Sequence, residues 1–267
     1  MLTIQNYVRV QSLEEAYTLN QNKRSRILGG MLWLKMSDLT VTTAIDLCRL
    51  GLDAIEETDE GFSIGAMATL RQLELHAGLN DHTQGAVADA VEGIVGVQFR
   101  NMATVGGSIF GRFGFSDVLT VFLALDSYVE LYKGGVVPLE TFARMGKDRD
   151  ILVRLIVKKH PGDRLVYRAA RNSRTDLPVL TCAVGRVDGT YRAAIGARPA
   201  QAMVLRDERG LLARGIDEGS ARAFADFAAD NAPTGGNARG SAAYRTHLIR
   251  VLVRRALLEL GGMDGAD

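Results

Sequence analysis

Arg100-Asn101-Met102-Ala103-Thr104-Val105-Gly106-Gly107-Ser108 is the stretch on which the reading of this chain turns. It sets two glycines between two hydroxyl residues and lies between apolar segments. Glycine has no Cβ, so a polar ligand can sit against its N–H, and φ is free to turn positive. Thr104 and Ser108 add hydroxyls beside those amides, which together make a concave cradle for an anion such as a pyrophosphate. A tight turn between two buried segments fits the same run, because Gly-Gly pairs also punctuate loops. The run alone leaves both readings open.

Working outward, Ser116-Asp117 reads as a helix N-cap pair leading into the apolar stretch from Val118 to Leu125. Upstream, Val87, Val91, Ile94 and Val95 fall on one face of a helix expected over about Thr83 to Val95. Thr69 with Gln72, and Ser12 with Glu15, are capping-box signatures for helices over Leu70 to His76 and from Leu13 to the polar break Asn20-Gln21-Asn22. Arg26-Ile27-Leu28 reads as a buried strand stopped by Gly29-Gly30, and Ala44 to Leu47 as another. The acidic run Glu56-Glu57-Thr58-Asp59-Glu60 ends in Gly61 and fits the turn of a hairpin better than a pair of catalytic carboxylates, with Ala54 to Glu57 pairing with Phe62 to Gly65. Strands are also expected at Tyr128 to Tyr132 and Ile151 to Val157, with a turn of helix at Pro138-Leu139. Beyond about Arg164, strands at Leu165 to Ala169, Val179 to Val187 and Tyr191 to Gly196 suggest a small antiparallel sheet. Helices follow at Ala221 to Asp230 and Ser241 to Leu260. Strands and helices mix without strict βαβ alternation, so the class is α+β, with boundaries near Glu57 and Gly162. Residues 1–57, 58–162 and 163–267 are the expected subdomains.

The net charge of +1 leaves no field that would favour nucleic acid or an anionic membrane. The start of the chain has no charged n-region or apolar core of a signal peptide, and no apolar run is long enough to span a bilayer, so a cytoplasmic protein is expected. Cys48 and Cys182 are the only cysteines, in no Cys-x-x-Cys spacing, so the chain cannot ligate an iron–sulfur cluster by itself with the usual ligands. His76, His82, His160 and His247 are scattered and read as surface or loop residues, and no metal site is expected. No Gly-x-Gly-x-x-Gly, Walker lysine or Gly-x-Ser-x-Gly elbow occurs. Spacing for general acid–base catalysis is absent too.

The segment Ile94 to Ser108, then Ser116-Asp117, then Leu123-Ala124-Leu125, resembles the flavin-binding medium subunit of molybdenum hydroxylases, the group of xanthine, carbon monoxide and nicotinate dehydrogenases. Ile64 to Thr69 is similar to the strand-to-helix entry of that family's second subdomain. Ser241 to Arg245, with Arg254-Arg255-Ala256-Leu257, is similar to its closing helix. The resemblance implies a two-subdomain FAD-binding fold of the PCMH type, followed by a C-terminal subdomain with a three-stranded antiparallel sheet and helices. It implies that Leu28, Gly29, Gly30 and Met31 face the FAD pyrophosphate through backbone amides. Thr104, Gly107 and Ser108 would cradle it from the other side, Ser116 and Asp117 would hold ribose or ribitol hydroxyls, and Ile94 would stand near the isoalloxazine. Departures are specific. The family's first loop usually reads Ala-Gly-Gly-Thr-Asp-Leu, whereas this chain has Leu28-Gly29-Gly30-Met31-Leu32-Trp33 and lacks that hydroxyl and carboxylate. Ser108 replaces the commoner Asn, and Phe110, Phe113 and Phe115 give the second loop an unusual aromatic content.

The function implied is that of an electron-transfer flavoprotein subunit with no catalytic residue of its own. A small iron–sulfur subunit would deliver electrons and a large molybdopterin subunit would oxidise the substrate, in a complex that dimerises, with NAD⁺ or another compound as acceptor. The alternatives are a flavin-poor scaffold subunit and a stand-alone FAD oxidoreductase such as the enolpyruvyl-UDP-N-acetylglucosamine reductases.

Overall fold

The computed structural model describes residues 1–264. Strands β1 (Thr3–Arg9), β2 (Arg26–Leu28) and β3 (Thr40–Asp46) form a parallel sheet in the order β1-β3-β2. Parallel neighbours need a crossover, and helix α1 (Leu13–Asn20) lies on the one between β1 and β2. Its start is fixed as its sequence suggests: Ser12 Oγ accepts from the Glu15 amide, while the Glu15 carboxylate accepts from the Gln11 amide. Strand β1 is absent from the expectation because nearly all of its side chains are exposed, so it carries no alternation of apolar and polar residues. Strand β3 likewise begins before Ala44, at Thr40. From β2 the chain passes through Gly29-Gly30 and a single 3₁₀ turn, Leu34–Met36, to reach β3.

The second unit contains β4 (Ile55–Glu57), β5 (Gly61–Gly65), α2 (Leu70–Leu75), α3 (Ala77–His82), α4 (Ala86–Glu92), α5 (Val97–Arg100), α6 (Val105–Phe110), α7 (Asp117–Leu123), β6 (Ser127–Leu131), β7 (Gly135–Pro138), α8 (Leu139–Arg144) and β8 (Leu152–Lys158). Its sheet runs β4-β5-β8-β6-β7 and is antiparallel throughout. The acidic run does form the hairpin turn, with the Thr58 amide donating to Gly61 O, so a boundary at Glu57 falls inside a hairpin. The helix expected over Thr83 to Val95 is shorter. Gly85, at φ +81°, precedes it, Gly93 ends it, and Val95 turns to φ +51°. Val87 and Val91 therefore enter the core, Ile94 packs at its edge, and Val95 is half exposed. Of the histidines expected on the surface or in loops, His76 stands in the break between α2 and α3, whereas His82 departs from that expectation. His76 Nδ1 accepts from the Leu79 amide at the start of α3, and His82 is largely buried beside Asp163.

The C-terminal unit has β9 (Arg164–Ala170), β10 (Leu180–Val187), β11 (Thr190–Gly196) and β12 (Met203–Arg206), in the order β12-β11-β10-β9, then α9 (Glu218–Asn231) and α10 (Ala242–Asp264). The three-stranded sheet expected here is four-stranded. Strand β12 has only four residues, too few to show an alternation, and it is identified only by pairing with β11. Every residue of α7 is buried, and one apolar core runs from Phe62, Val87 and Phe122 of the second unit to Leu165, Ala183 and Ala194 of the third. A second core joins the sheet to Phe224 of α9 and Ile249, Val253 and Leu257 of α10. Helix α7 is thus fixed from both sides, which sets the position of its N-terminus. Among the described residues no helix is long and apolar enough to cross a membrane.

Candidate functional site

Where β2 ends, the chain lays Gly29-Gly30 directly on the segment that precedes α6. A Cβ on Gly30 would stand 2.0 Å from Met102 O, and one on Gly29 would stand 2.7 Å from Thr104 Oγ1. Only glycine permits that approach. Met31 follows at φ +59°. As a result, the backbone N–H groups of Gly29, Gly30, Met31, Leu32 and Trp33 donate to no acceptor among the described residues. Consecutive unengaged amides in a loop are a seat for an anion.

The facing loop is built differently. Thr104 caps α6, its Oγ1 accepting from the Gly107 amide at 3.1 Å. The Val105 and Gly106 amides donate to Ala68 O and Ala66 O at 2.8 and 2.7 Å, and the Ser108 amide donates to Thr104 O. Gly106 is glycine because a Cβ would come within 2.6 Å of Ala66 O; neither it nor Gly107 adopts positive φ. The amides that open this chain's most suggestive motif are therefore engaged internally. Thr104 Oγ1 lies beside Gly29, and its hydroxyl donates to no acceptor among the described residues. Upstream, Arg100 is buried and donates to both carboxylate oxygens of Glu74, at 2.7 and 3.0 Å, and to Ile94 O. The Arg100 hydrogen bond holds the Glu74 carboxyl below its ordinary value.

The two loops bound a cavity of about 570 Å³ that is lined by Gly29, Gly30, Met31, Ile94, Thr104, Gly107, Ser108, Ser116 and Asp117. Leu28 instead lines a second cavity, of about 450 Å³, which shares Gly29, Thr104 and Gly107 with the first. The first has mostly apolar walls, among them Leu70, Phe99 and Trp33, whereas the second is edged by Asn20, Ser25, Arg26, Asp148 and Arg149. The residues singled out in the sequence are thus brought together around one bipartite cleft.

Their side chains are not all available. Ser116 Oγ donates to Ser108 O and accepts from the Leu119 amide, so this hydroxyl caps α7 and ties it to α6. Ser108 Oγ donates back to Thr104 O. Asp117 is nearly buried: Tyr167 Oη donates to its Oδ1, and Arg171 Nη2 lies 2.5 Å from the same oxygen. Burial raises the Asp117 carboxyl, opposed by Arg171 and Tyr167, while burial and the neighbouring carboxylate push the Tyr167 phenol well up. Asp117 thus packs against the C-terminal unit while still lining the larger cavity. Its partners lie fifty or more residues away, and no local pattern announces them. Also missed were Arg171, Asp176 and Arg239, which line the larger cavity from the C-terminal unit; Phe113 and Phe115, singled out in the sequence for their aromatic content, stack 5.2 Å apart on the same wall.

These residues suit a flavin dinucleotide: open amides for a pyrophosphate, an apolar chamber for a ring system and a second chamber with a polar edge for a nucleoside. The family model described as the FAD binding domain in molybdopterin dehydrogenase matches residues 2–159. The chain belongs to that family. Its members are oxidoreductase components, and both glycine loops lie inside the match. Among curated relatives, the chain is 27% identical over 257 residues to the uncharacterized protein YgfM of Escherichia coli K12, covering 94% of each. It is 24% identical over 286 residues to the glyceraldehyde dehydrogenase medium chain of Sulfolobus acidocaldarius, covering 96% of this chain and 98% of that one. Among solved structures, quinoline 2-oxidoreductase from Pseudomonas putida 86 superposes with a TM-score of 0.83 at 19% identity, over 96% of both chains. Carbon monoxide dehydrogenase from Hydrogenophaga pseudoflava gives 0.82 at 24%, over 97% of both. These two likenesses show the fold. The C-terminal unit that supplies Arg171 lies beyond the family match and still contributes to the cavity wall.

Proposed function

We propose that this chain is the FAD-carrying electron-transfer subunit of a multi-subunit molybdenum hydroxylase. Electrons would come from iron–sulfur clusters on a small partner subunit, supplied in turn by a large molybdopterin subunit, and would leave for NAD⁺ or another acceptor. The observation that carries this reading is the run of unengaged amides from Gly29 to Trp33 facing Thr104 across the cleft. When bound, a flavin takes electrons singly or in pairs, which links one-electron carriers to a two-electron acceptor.

The chain's own contribution is binding and exclusion. The amides of residues 29–33 and the Thr104 hydroxyl would hold the pyrophosphate, with Gly107 and Ser108 closing the seat behind it. The apolar chamber with Ile94, Leu70 and Phe99 would take the ring and keep water from it, and the chamber with Asn20, Ser25 and Arg149 would take the adenosine. Ser116 and Asp117 would shape the passage between ring and pyrophosphate. The loss of the family's usual hydroxyl and carboxylate from the first loop leaves the backbone seat intact, since amides do the binding there.

Purification of the chain with and without added FAD tests this reading. A stoichiometric flavin absorbance after gel filtration is expected, together with a clear preference for FAD over FMN, which has no pyrophosphate. A flavin-free chain would point to a scaffold subunit. Recovery with iron–sulfur and molybdopterin partners, in a particle of twice the summed mass, supports the dimerising complex, whereas full turnover by the isolated chain would favour a stand-alone oxidoreductase. Cys48 and Cys182, both unpaired, suit the reducing cytoplasm in which we place the complex.

A further inference from the structure

On the flavin reading above, we infer that Arg171 contacts the flavin ring and favours its reduced, negatively charged form. Arg171 stands in the loop after β9, on the wall of the larger, apolar cavity and near Ile94. Two hydrogen-bond partners hold its guanidinium, and the end of α4 lies close beside it. Nη2 pairs with Asp117 at the N-terminus of α7, Nη1 donates to Asp176 O at 2.7 Å, and Nε lies so near Gly93, at the end of α4, that a Cβ there would sit 3.3 Å away. The side chain is 11% exposed against 6% for Asp117, so the cation is the more accessible member of the pair. Tyr167 donates to the same Asp117 oxygen and steadies the carboxylate from behind. Asp117 and Tyr167 are accordingly positioning residues, and Arg171 is the group presented to the occupant. Arg239 and Asp176, paired at 3.3 Å across the same wall, balance one another.

Two electrons from a one-electron donor, such as a reduced iron–sulfur cluster, together with one proton from solvent leave the ring with one more negative charge than before. That charge is spread over a ring nitrogen and its adjacent carbonyl oxygen, an edge that the planar guanidinium fork matches. A cation as buried as Arg171 acts on that charge more strongly than it would in bulk solvent. Charge placed beside the ring is one of the means by which a protein tunes flavin electronics.

R171M alone would leave Asp117 buried without its cation, a strongly destabilising change. The test therefore compares the FAD-loaded wild type with R171K and with the double variant D117N/R171M, which removes both charges. Midpoint potentials are read by dithionite titration, and affinities for oxidised and reduced FAD are measured separately. The double variant should lose about tenfold more affinity for reduced than for oxidised FAD, as expected for one charge-assisted hydrogen bond. That selectivity lowers the midpoint potential by about 30 mV for a two-electron couple. R171K, which keeps the charge, should recover most of the shift. An unchanged potential in the double variant, or equal losses for both forms, overturns the inference while leaving the flavin reading standing. A wild-type chain that takes up no FAD defeats the flavin reading, and this inference with it.

Discussion

The two glycine pairs face each other across one cleft and use the same residue for different ends. Gly29-Gly30 gives up side chains so that one loop can rest on Met102 and Thr104, and that loop keeps its own amides unengaged. Gly106-Gly107 gives them up so that α6 can start against Ala66, and its amides are consumed by the helix cap and by the neighbouring backbone. On the proposed reading, one pair forms the anion seat and the other forms a wall for it. The largest effect should therefore come from Gly30→Ala. Its methyl would meet a backbone carbonyl at 2.0 Å, which cannot move aside as a side chain could. We expect a stability loss of about 3 kcal/mol in urea unfolding, near the upper end for overpacking, and retained FAD below a tenth of the wild-type content. Full flavin occupancy in that variant would break the asymmetry between the loops.

Glu74→Gln probes the support of the wall. Arg100 loses one charged acceptor while remaining buried, and a cost of about 2 kcal/mol at neutral pH is expected from a hydrogen bond of that kind. The pH dependence has a definite sign. The Glu74 carboxyl is held below its ordinary value of 4.5 by Arg100, so the folded state binds its proton less readily than the unfolded chain does. The stabilisation is present above about pH 4.5 and is lost as pH falls through the lowered value. The variant should lose stability at neutral pH and show a shallower decline below pH 4.5, as measured by thermal melts across that range.

How far the site could be read in advance differs between the same two regions. The caps at Ser12, Thr69 and Ser116 and the hairpin over the acidic run all rest on contacts within a few residues, and local sequence carries such contacts; the helix that starts at Thr104 is not among the expected elements. The bond that fixes Asp117 spans fifty residues, and the amides of the first loop are open because of what they do not touch. No residue type encodes either fact. Strand β1 escaped notice for a related reason: its pairing with β3 is distant, and its exposed side chains leave no alternation to read. The residue types of the second motif invite an anion cradle, and the resemblance sets both loops against the pyrophosphate; only the first leaves its amides unengaged. The first loop lacks the hydroxyl and carboxylate usual in the family, yet its backbone amides stay unengaged.

Thr104→Ala separates the cap from the ligand contact. Loss of the cap on α6 should cost about 1 kcal/mol, and Thr104→Ser should restore it. If the hydroxyl hydrogen also reaches the pyrophosphate, as the geometry of the cleft favours, Ala should weaken FAD binding several-fold while Ser does not. Equal FAD affinity in the Ala variant would assign Thr104 to the helix alone.

Gly107→Ala gives the smallest effect and the sharpest comparison. A Cβ at this position meets only Thr104 Oγ1, at 3.2 Å, so a shift of a few tenths of an ångström in one side chain relieves it. Gly107 also lies within α6 at ordinary φ, where alanine is favoured over glycine by roughly 0.5–1 kcal/mol. The crowding and the helix preference oppose each other, and the net change in stability should fall within about 0.5 kcal/mol of zero, as for most substitutions that break no core contact. Because the Gly107 amide already donates to Thr104, the substitution removes no donor that a phosphate would use. FAD content should consequently stay close to that of the wild type, in contrast to Gly30→Ala. A comparable flavin loss in both variants would mean that the second glycine pair also touches the anion, and that Thr104 releases the Gly107 amide when the dinucleotide arrives.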